Sequence, residues 1–178
     1  MALSISNVNS TRIFVTGVSS GAMMTNVMLA LYPEVFSAGT AFAGVPYTCF
    51  STTNGSEWNS DCSSGNISKT AQEWGDLVRD ANPDFSGPYP RVQLWHGTDD
   101  EALDYNNFDE AIKLWTNVHG LSQTPMATDT PASGITRTRY GGTDDHAPVE
   151  ANSLQDVSHN LPVDEEAVIR FFNLDNAD

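Results

Sequence analysis

Apolar and polar positions along this chain switch between two periods, and the switch points mark its elements. Arg12 to Thr16 is a short run of β-formers ended by Gly17, the pattern of a buried strand. From Gly21 to Leu31 the period changes. Met24, Val27, Met28 and Leu31 fall at i, i+3, i+4 and i+7, with Met23, Leu29 and Ala30 covering much of the rest, which predicts a mostly buried helix ended by Pro33. Its methionines read as core filler. Ala38 to Val45 reads as a second apolar strand. From Pro46 to about Ser68 the chain is rich in Ser, Thr, Asn and Gly and has no period, as in a functional or externally stapled loop.

Thr70 to Asp80 forms a weak amphipathic helix carrying Trp74, Leu77 and Val78, and a Pro-rich turn leads to a strand over Arg91 to Trp95. The acidic loop HGTDDEALDYNN follows. Phe108, Ala111, Ile112 and Trp115 mark another helix, ended by Gly120. Beyond a Thr/Pro-rich loop, two strand-like runs, Ile135 to Tyr140 and Val149 to Ser153, flank the turn GGTDDHAP. Asp164 caps a last helix carrying Val168, Phe171 and Phe172. The order β, α, β, α, β, α, β, β, α, without repeats or an interdomain linker, predicts one α/β layered domain over residues 1–178.

Charge narrows the function classes. The chain has 23 acidic and 8 basic residues, a formal net charge of -15, and the basic residues are scattered. Such a surface repels nucleic acid and anionic membranes, so neutral or cationic substrates are expected. No run is long and apolar enough for a membrane span, and the start, MALSISNVNSTR, lacks a basic region followed by an apolar one. Three Asn-x-Ser/Thr sequons, at Asn9, Asn54 and Asn66, are candidate glycosylation sites or coincidences of a Ser/Thr/Asn-rich composition. Cys49 and Cys62 read either as two buried thiols or as a local bridge pinning their loop, the second implying an oxidising compartment.

The stretch FVTGVSSGAMM carries the chemistry. In Gly-x-Ser-x-Gly a serine sits on a sharp strand-to-helix turn, with small residues two positions away on each side. Ser19 has Gly17 before it and Gly21 after it, whereas Ser20 would be flanked by Val18 and Ala22. A serine hydroxyl is a weak nucleophile and needs a histidine base held by a carboxylate. On this type of elbow the partners follow in the order serine, acid, histidine, each just past a strand. Asp100, in HGTDD after the strand ending at Trp95, is the candidate acid, against the alternative of a solvated helix entry. His159, on the loop before the final helix, is the candidate base. His96 precedes the acid and is expected to shape its loop. His119 stands at a helix end, where the dipole explains it, and His146, the less favoured late histidine, reads as an exposed turn residue or a lone metal ligand.

GVSSGAMMTNVMLALYPEVFSAGTAFAGVPYTCF, VQLWHGTDD and VSHNLPV together resemble the fungal acetylxylan esterases and feruloyl esterases of carbohydrate esterase family one, relatives of the polyhydroxybutyrate depolymerases. The resemblance runs from Thr11 to Leu174. It implies an α/β-hydrolase fold, a three-layer sandwich, with Ser19 as nucleophile, Asp100 as acid and His159 as base. It also implies an oxyanion donor at the Ser20 N–H, a Cys49 to Cys62 disulfide, secretion, and an acylated xylan as substrate. No metal or organic cofactor is implied. The competing classes are a non-catalytic fragment or carbohydrate-binding remnant using Trp58, Trp74 or Trp95 as exposed platforms, and a polyester depolymerase with the same triad.

Members of this family carry roughly a hundred residues before the nucleophile strand, whereas only eleven precede Arg12 here. The expectation is therefore the C-terminal portion of the fold, with the early sheet strands missing. The nucleophile strand would then lie at an edge with unpaired backbone groups. The second oxyanion donor would be absent, at a cost of ~10²–10³ in rate.

Overall fold

The computed structural model describes residues 9–53 and 55–175. Six strands form one mixed sheet in the order β1-β2-β3-β6-β5-β4. They are β1 (Phe14–Val18), β2 (Ala38–Phe42), β3 (Arg91–Gly97), β4 (Ala127–Ala132), β5 (Ile135–Tyr140) and β6 (Val149–Leu154). The first three and β6 run parallel, and β5 and β4 add antiparallel at one side. The helices are α1 (Ser20–Leu31), α2 (Ser60–Ser63), α3 (Ala71–Ala81), α4 (Asn106–Val118) and α5 (Glu165–Phe171).

Three layers result. On one face α1, α3 and α4 cover the alternate residues Ala41, Val92, Leu94, Val149 and Ala151. On the other, α5 covers Phe42, Trp95 and Leu154 with Ala167, and further along Ala38 with Phe171 and Phe172. This is the expected α/β layering. Helix ends follow their capping chemistry: Thr70 and Glu73 form a reciprocal capping box on α3, and the Asp164 carboxylate accepts the Ala167 N–H of α5.

The buried face of α1 differs from the apolar stripe. Ala22, Thr25, Asn26, Leu29 and Ala30 are buried, whereas Met24 is 56% exposed and Val27, Met28 and Leu31 are half-buried. Two glycines in and after β2 decide this. A Cβ on Gly39 would come within 2.7 Å of Leu29, and one on Gly44 within 2.8 Å of the Ala22 Cβ, so these side chains occupy the space the glycines leave. Asn26 then finds partners on this face: it donates to the Val45 carbonyl at 2.9 Å and accepts the Trp115 indole N–H at 3.0 Å. A buried amide with its bonds made fixes the rotation of the helix more firmly than exposed methionines can.

The segment ATDTPA, expected as loop, is the strand β4, exposed along nearly its whole length. It forms because β5 is there to pair with it. Arg137 on β5 grips Asp129 on β4 with two bonds, at 2.9 and 2.7 Å. Two of the three tryptophans offered as exposed platforms are interior: Trp74 is fully buried and Trp95 2% exposed, and only Trp58 stands out at 53%. Their apolar area is worth more against the core, and Trp74 also donates its N–H to the buried Glu110 carboxylate at 2.6 Å.

Cys49 and Cys62 form a disulfide across a sequence separation of 13. Asn59 reinforces it, capping α2 at the Cys62 N–H and donating to the Cys49 and Ser51 carbonyls. Replacing both cysteines by alanine is expected to lower unfolding free energy by about 3 kcal/mol, the loop-closure value for a loop of this size. Urea midpoints measured with the m-value held constant would check it; a change below about 1 kcal/mol would mean the asparagine bonds suffice. Asn9 and Asn66 are exposed, while Asn54 lies outside the described residues. Among the described residues no helix is long and apolar enough to cross a membrane.

Candidate active site

Ser19 is the N-cap of α1, between the last residue of β1 and the first turn of the helix, with φ 56° and ψ -117°. This is a strained backbone for a residue with a side chain, and it lifts the hydroxyl out of the turn. Two bonds hold it there: the Ser19 N–H donates to the Phe42 carbonyl at 2.9 Å, and the Ser19 carbonyl accepts the Met23 N–H at 3.0 Å. Of the two flanking glycines only Gly17 is crowded. A Cβ there would lie 2.3 Å from the Gly21 carbonyl group, whereas one on Gly21 would meet nothing within 4 Å. The turn thus needs a bare Cα before the serine and only the backbone of the glycine after it. Ser20 is the first residue of α1, with its N–H at the positive end of the helix.

Ser19, Asp100 and His159 come from three loops that leave the C-terminal ends of the parallel strands β1, β3 and β6. The loops after β3 and β6 are stitched together. Thr98 N–H donates to the Leu154 carbonyl at 2.9 Å, Asp99 N–H to the Val157 carbonyl at 3.0 Å, and Asp156 N–H to the Thr98 hydroxyl at 2.8 Å. Gly97 permits this approach, since a Cβ there would lie 2.1 Å from the Val157 carbonyl oxygen.

The three side chains lie in a hydrogen-bonded line. Ser19 Oγ is 2.9 Å from His159 Nε2, and His159 Nδ1 is 2.8 and 3.0 Å from the two Asp100 oxygens. With the proton on Nδ1, the imidazole donates to the carboxylate and Nε2 accepts the serine O–H. The Asp100 side chain is fully buried, and burial alone would raise its pKa. Hydrogen bonds from His96, the Leu103 N–H and His159 outweigh that and hold the carboxyl down to about 2.

His96 contributes more than the sequence suggested. It lies on β3 rather than on the acid's loop, is 1% exposed, and places Nε2 2.8 Å from the Leu103 carbonyl and 3.2 Å from Asp100 Oδ2. The Ala102 and Leu103 N–H groups fix Asp100 Oδ1 at 2.9 and 2.8 Å, so the acid is held from both sides. The i, i+4 spacing of His96 and Asp100 was the available signal. His119 caps α4 with its ring against the Pro90 carbonyl, and burial pushes its pKa down, against the charged form that the helix dipole would favour. His146 is exposed on the turn before β6, at the opposite end of the sheet from Ser19. Among the described residues no cluster of His, Cys, Asp and Glu could hold a metal ion.

Ser19 follows what is, among the described residues, an edge strand of the sheet. Among the described residues β1 pairs only with β2, and Thr16 and Val18 are exposed while all of β2 is buried.

The sequence profile of the prolyl oligopeptidase family matches residues 1–122. An acetylxylan esterase of Coprinopsis cinerea is 47% identical over 172 residues, covering 94% of this chain and 45% of that protein. Feruloyl esterase B of Talaromyces stipitatus is 43% identical over 169 residues, covering 93% of this chain and 46% of that protein. Among solved structures, an acetyl xylan esterase from Aspergillus awamori matches with a TM-score of 0.86 at 34% identity, covering 93% of this chain and 60% of that one. A depolymerase from Penicillium funiculosum, at 18% identity and a TM-score of 0.58, shares the fold. The chain spans about half the length of the curated relatives it matches. By profile, fold and relatives, the chain belongs to the prolyl oligopeptidase family, with the α/β-hydrolase fold, as a relative of the acetylxylan and feruloyl esterases.

Proposed function

We propose that this chain carries the catalytic set of a serine carboxylic-ester hydrolase acting on acylated xylan. The observation that carries the reading is the unbroken line from Ser19 Oγ through His159 to Asp100, at 2.9 and 2.8 Å. In this reading His159 Nε2 takes the Ser19 proton as Oγ attacks the acyl carbonyl, and Asp100 keeps the imidazole in the accepting tautomer and stabilises its charged form. The Ser20 N–H, at the start of α1, stabilises the oxyanion. The protonated His159 then delivers its proton to the departing sugar hydroxyl, and water resolves the acyl-enzyme by the reverse traffic. The relatives named for acetylxylan and for feruloyl esters leave both acyl groups as candidate leaving acids. Residues 1–178 are read as one catalytic unit, and the disulfide together with the exposed sequons at Asn9 and Asn66 favours an extracellular setting.

Covalent labelling tests the reading directly. A fluorophosphonate probe reacts quickly only where a serine is activated and an oxyanion is held, so the 178-residue protein should be labelled once, with the adduct mapping to Ser19 by peptide mass. Labelling no faster than that of the urea-unfolded chain would favour the non-catalytic alternative.

A further inference from the structure

The face of the sheet under α5 carries rows of side chains that run across the strands. In one row every polar group is satisfied. Thr40 on β2 donates to Gln93 on β3 at 3.0 Å, Gln93 to Glu150 on β6 at 2.8 Å, and Arg139 on β5 to Glu150 at 3.0 Å. The next row, two residues nearer the C-terminal ends of the parallel strands, is Phe42, Trp95, Asn152 and Arg137, register partners on β2, β3, β6 and β5. It is not satisfied. Among the described residues, Trp95 Nε1 and Asn152 Oδ1 have no hydrogen-bond partner, though the two residues are 2% and 1% exposed. An orphaned buried donor or acceptor costs about 1–3 kcal/mol, so two of them side by side call for an explanation.

Both residues line the same cleft, about 540 Å³, between α5 and the β4, β5 and β6 side of the sheet. Its size falls within the range of small-molecule sites. Arg137, Arg139 and Arg170 reach it, but Asp145, Asp164 and Glu166 line it as well. Arg137 is already paired with Asp129, and Arg139 with Glu150 and Asp145. On a chain with net charge -15, such a cleft offers an anion no surplus of positive charge. Its lining includes instead many fixed donors and acceptors, with Trp95 and Asn152, whose unpaired atoms are buried, among the residues of its wall.

A hydroxyl group matches that pair, because it accepts one hydrogen bond and donates another. We propose that this cleft is a second binding site, separate from Ser19, that seats a neutral sugar unit with one hydroxyl accepting from Trp95 Nε1 and donating to Asn152 Oδ1. The choice of a sugar among hydroxyl compounds rests on the reading of the substrate as a polysaccharide ester. The orphaned pair does not. Bound there, a stretch of the same chain of sugars would keep the polymer on the protein between acyl transfers at Ser19.

A bridging internal water would satisfy the same two atoms, and the experiment separates the two. The protein has four tryptophans, and the indole N–H groups of Trp74 and Trp115 are already bonded, to Glu110 and Asn26. In the ¹⁵N-labelled protein, with the Trp95 resonance assigned through Trp95→Phe, xylotriose should move the Trp95 indole N–H downfield and saturably while those two stay in place. Asn152→Leu should weaken xylotriose binding at least tenfold while the other indole resonances keep their positions, which shows the variant folded. A Trp95 resonance that ignores xylotriose in the parent protein, or equal affinity in Asn152→Leu, would overturn the sugar site in favour of a trapped water. Ser19→Ala should show the same Trp95 shift. That binding readout needs no turnover, so failure of fluorophosphonate labelling at Ser19 would count against the esterase reading alone.

Discussion

Ser19→Ala is expected to lower kcat for p-nitrophenyl acetate by ~10⁴–10⁶ while the fold and the urea midpoint stay nearly unchanged. The hydroxyl is the only atom removed. It is half-buried, and its 2.9 Å bond to His159 Nε2 is the one bond lost, while the backbone bonds to Phe42 and Met23 that hold the elbow remain. Alanine at φ 56° bears the same strain as serine, so stability should shift by less than about 1 kcal/mol. The measurement is a pre-steady-state burst of p-nitrophenolate, which reports formation of the acyl-enzyme and should vanish. A variant that keeps its burst would place the nucleophile elsewhere, and Ser20, one residue away, would be the first to examine.

Asp100→Asn is expected to lower kcat by ~10⁴ with little change in KM, and the reason lies in which atoms face which. Asp100 Oδ1 accepts the Ala102 and Leu103 N–H groups, so an asparagine would place its own oxygen there. Its NH₂ would then face His159 Nδ1 and His96 Nε2, where Oδ2 stands now at 2.8 and 3.2 Å. A donor opposite Nδ1 drives the imidazole proton to Nε2, which then points a hydrogen at Ser19 and cannot accept one. A loss smaller than tenfold would show that the carboxylate does not set the tautomer.

The same group governs acid stability. With its pKa held at about 2 rather than the ordinary 3.8, the ionised Asp100 stabilises the folded state at every pH above about 4. Protonation removes that contribution as the pH falls from there to about 2. The amount is on the order of 2 kcal/mol. Urea unfolding of the parent protein should therefore weaken across this interval, and Asp100→Asn should lack that component of the decline.

Much of this was legible along the chain because it is local. The Gly17, Ser19, Gly21 spacing on a strand followed by a helix marks the elbow, and the order serine, acid, histidine leaves His146 and His159 as the late histidines, of which His159 lies on the loop before the final helix. Helix starts at Thr70 and Asp164 were legible through their caps. Three features were not. The buried face of α1 was set by space above Gly39 and Gly44 and by partners for Asn26, none of which belongs to the helix itself. β4 has no apolar alternation and exists through its pairing with β5. His96 supports Asp100 only because β3 ends where it does, and the pairing of Trp95 with Asn152 joins strands separated by two further strands and a helix in the sequence.

The residue types available for ester chemistry, their order, and the turn that presents one of two adjacent serines are all written along the chain. That they meet follows from how the strands pair. Ser19 Oγ and His159 Nε2, 140 residues apart, touch at 2.9 Å because parallel pairing brings the C-terminal ends of β1, β3 and β6 to one side of the sheet. Register, pairing partner and the face a helix turns inward are properties of neighbours, and a linear pattern carries only each segment's own preference for them.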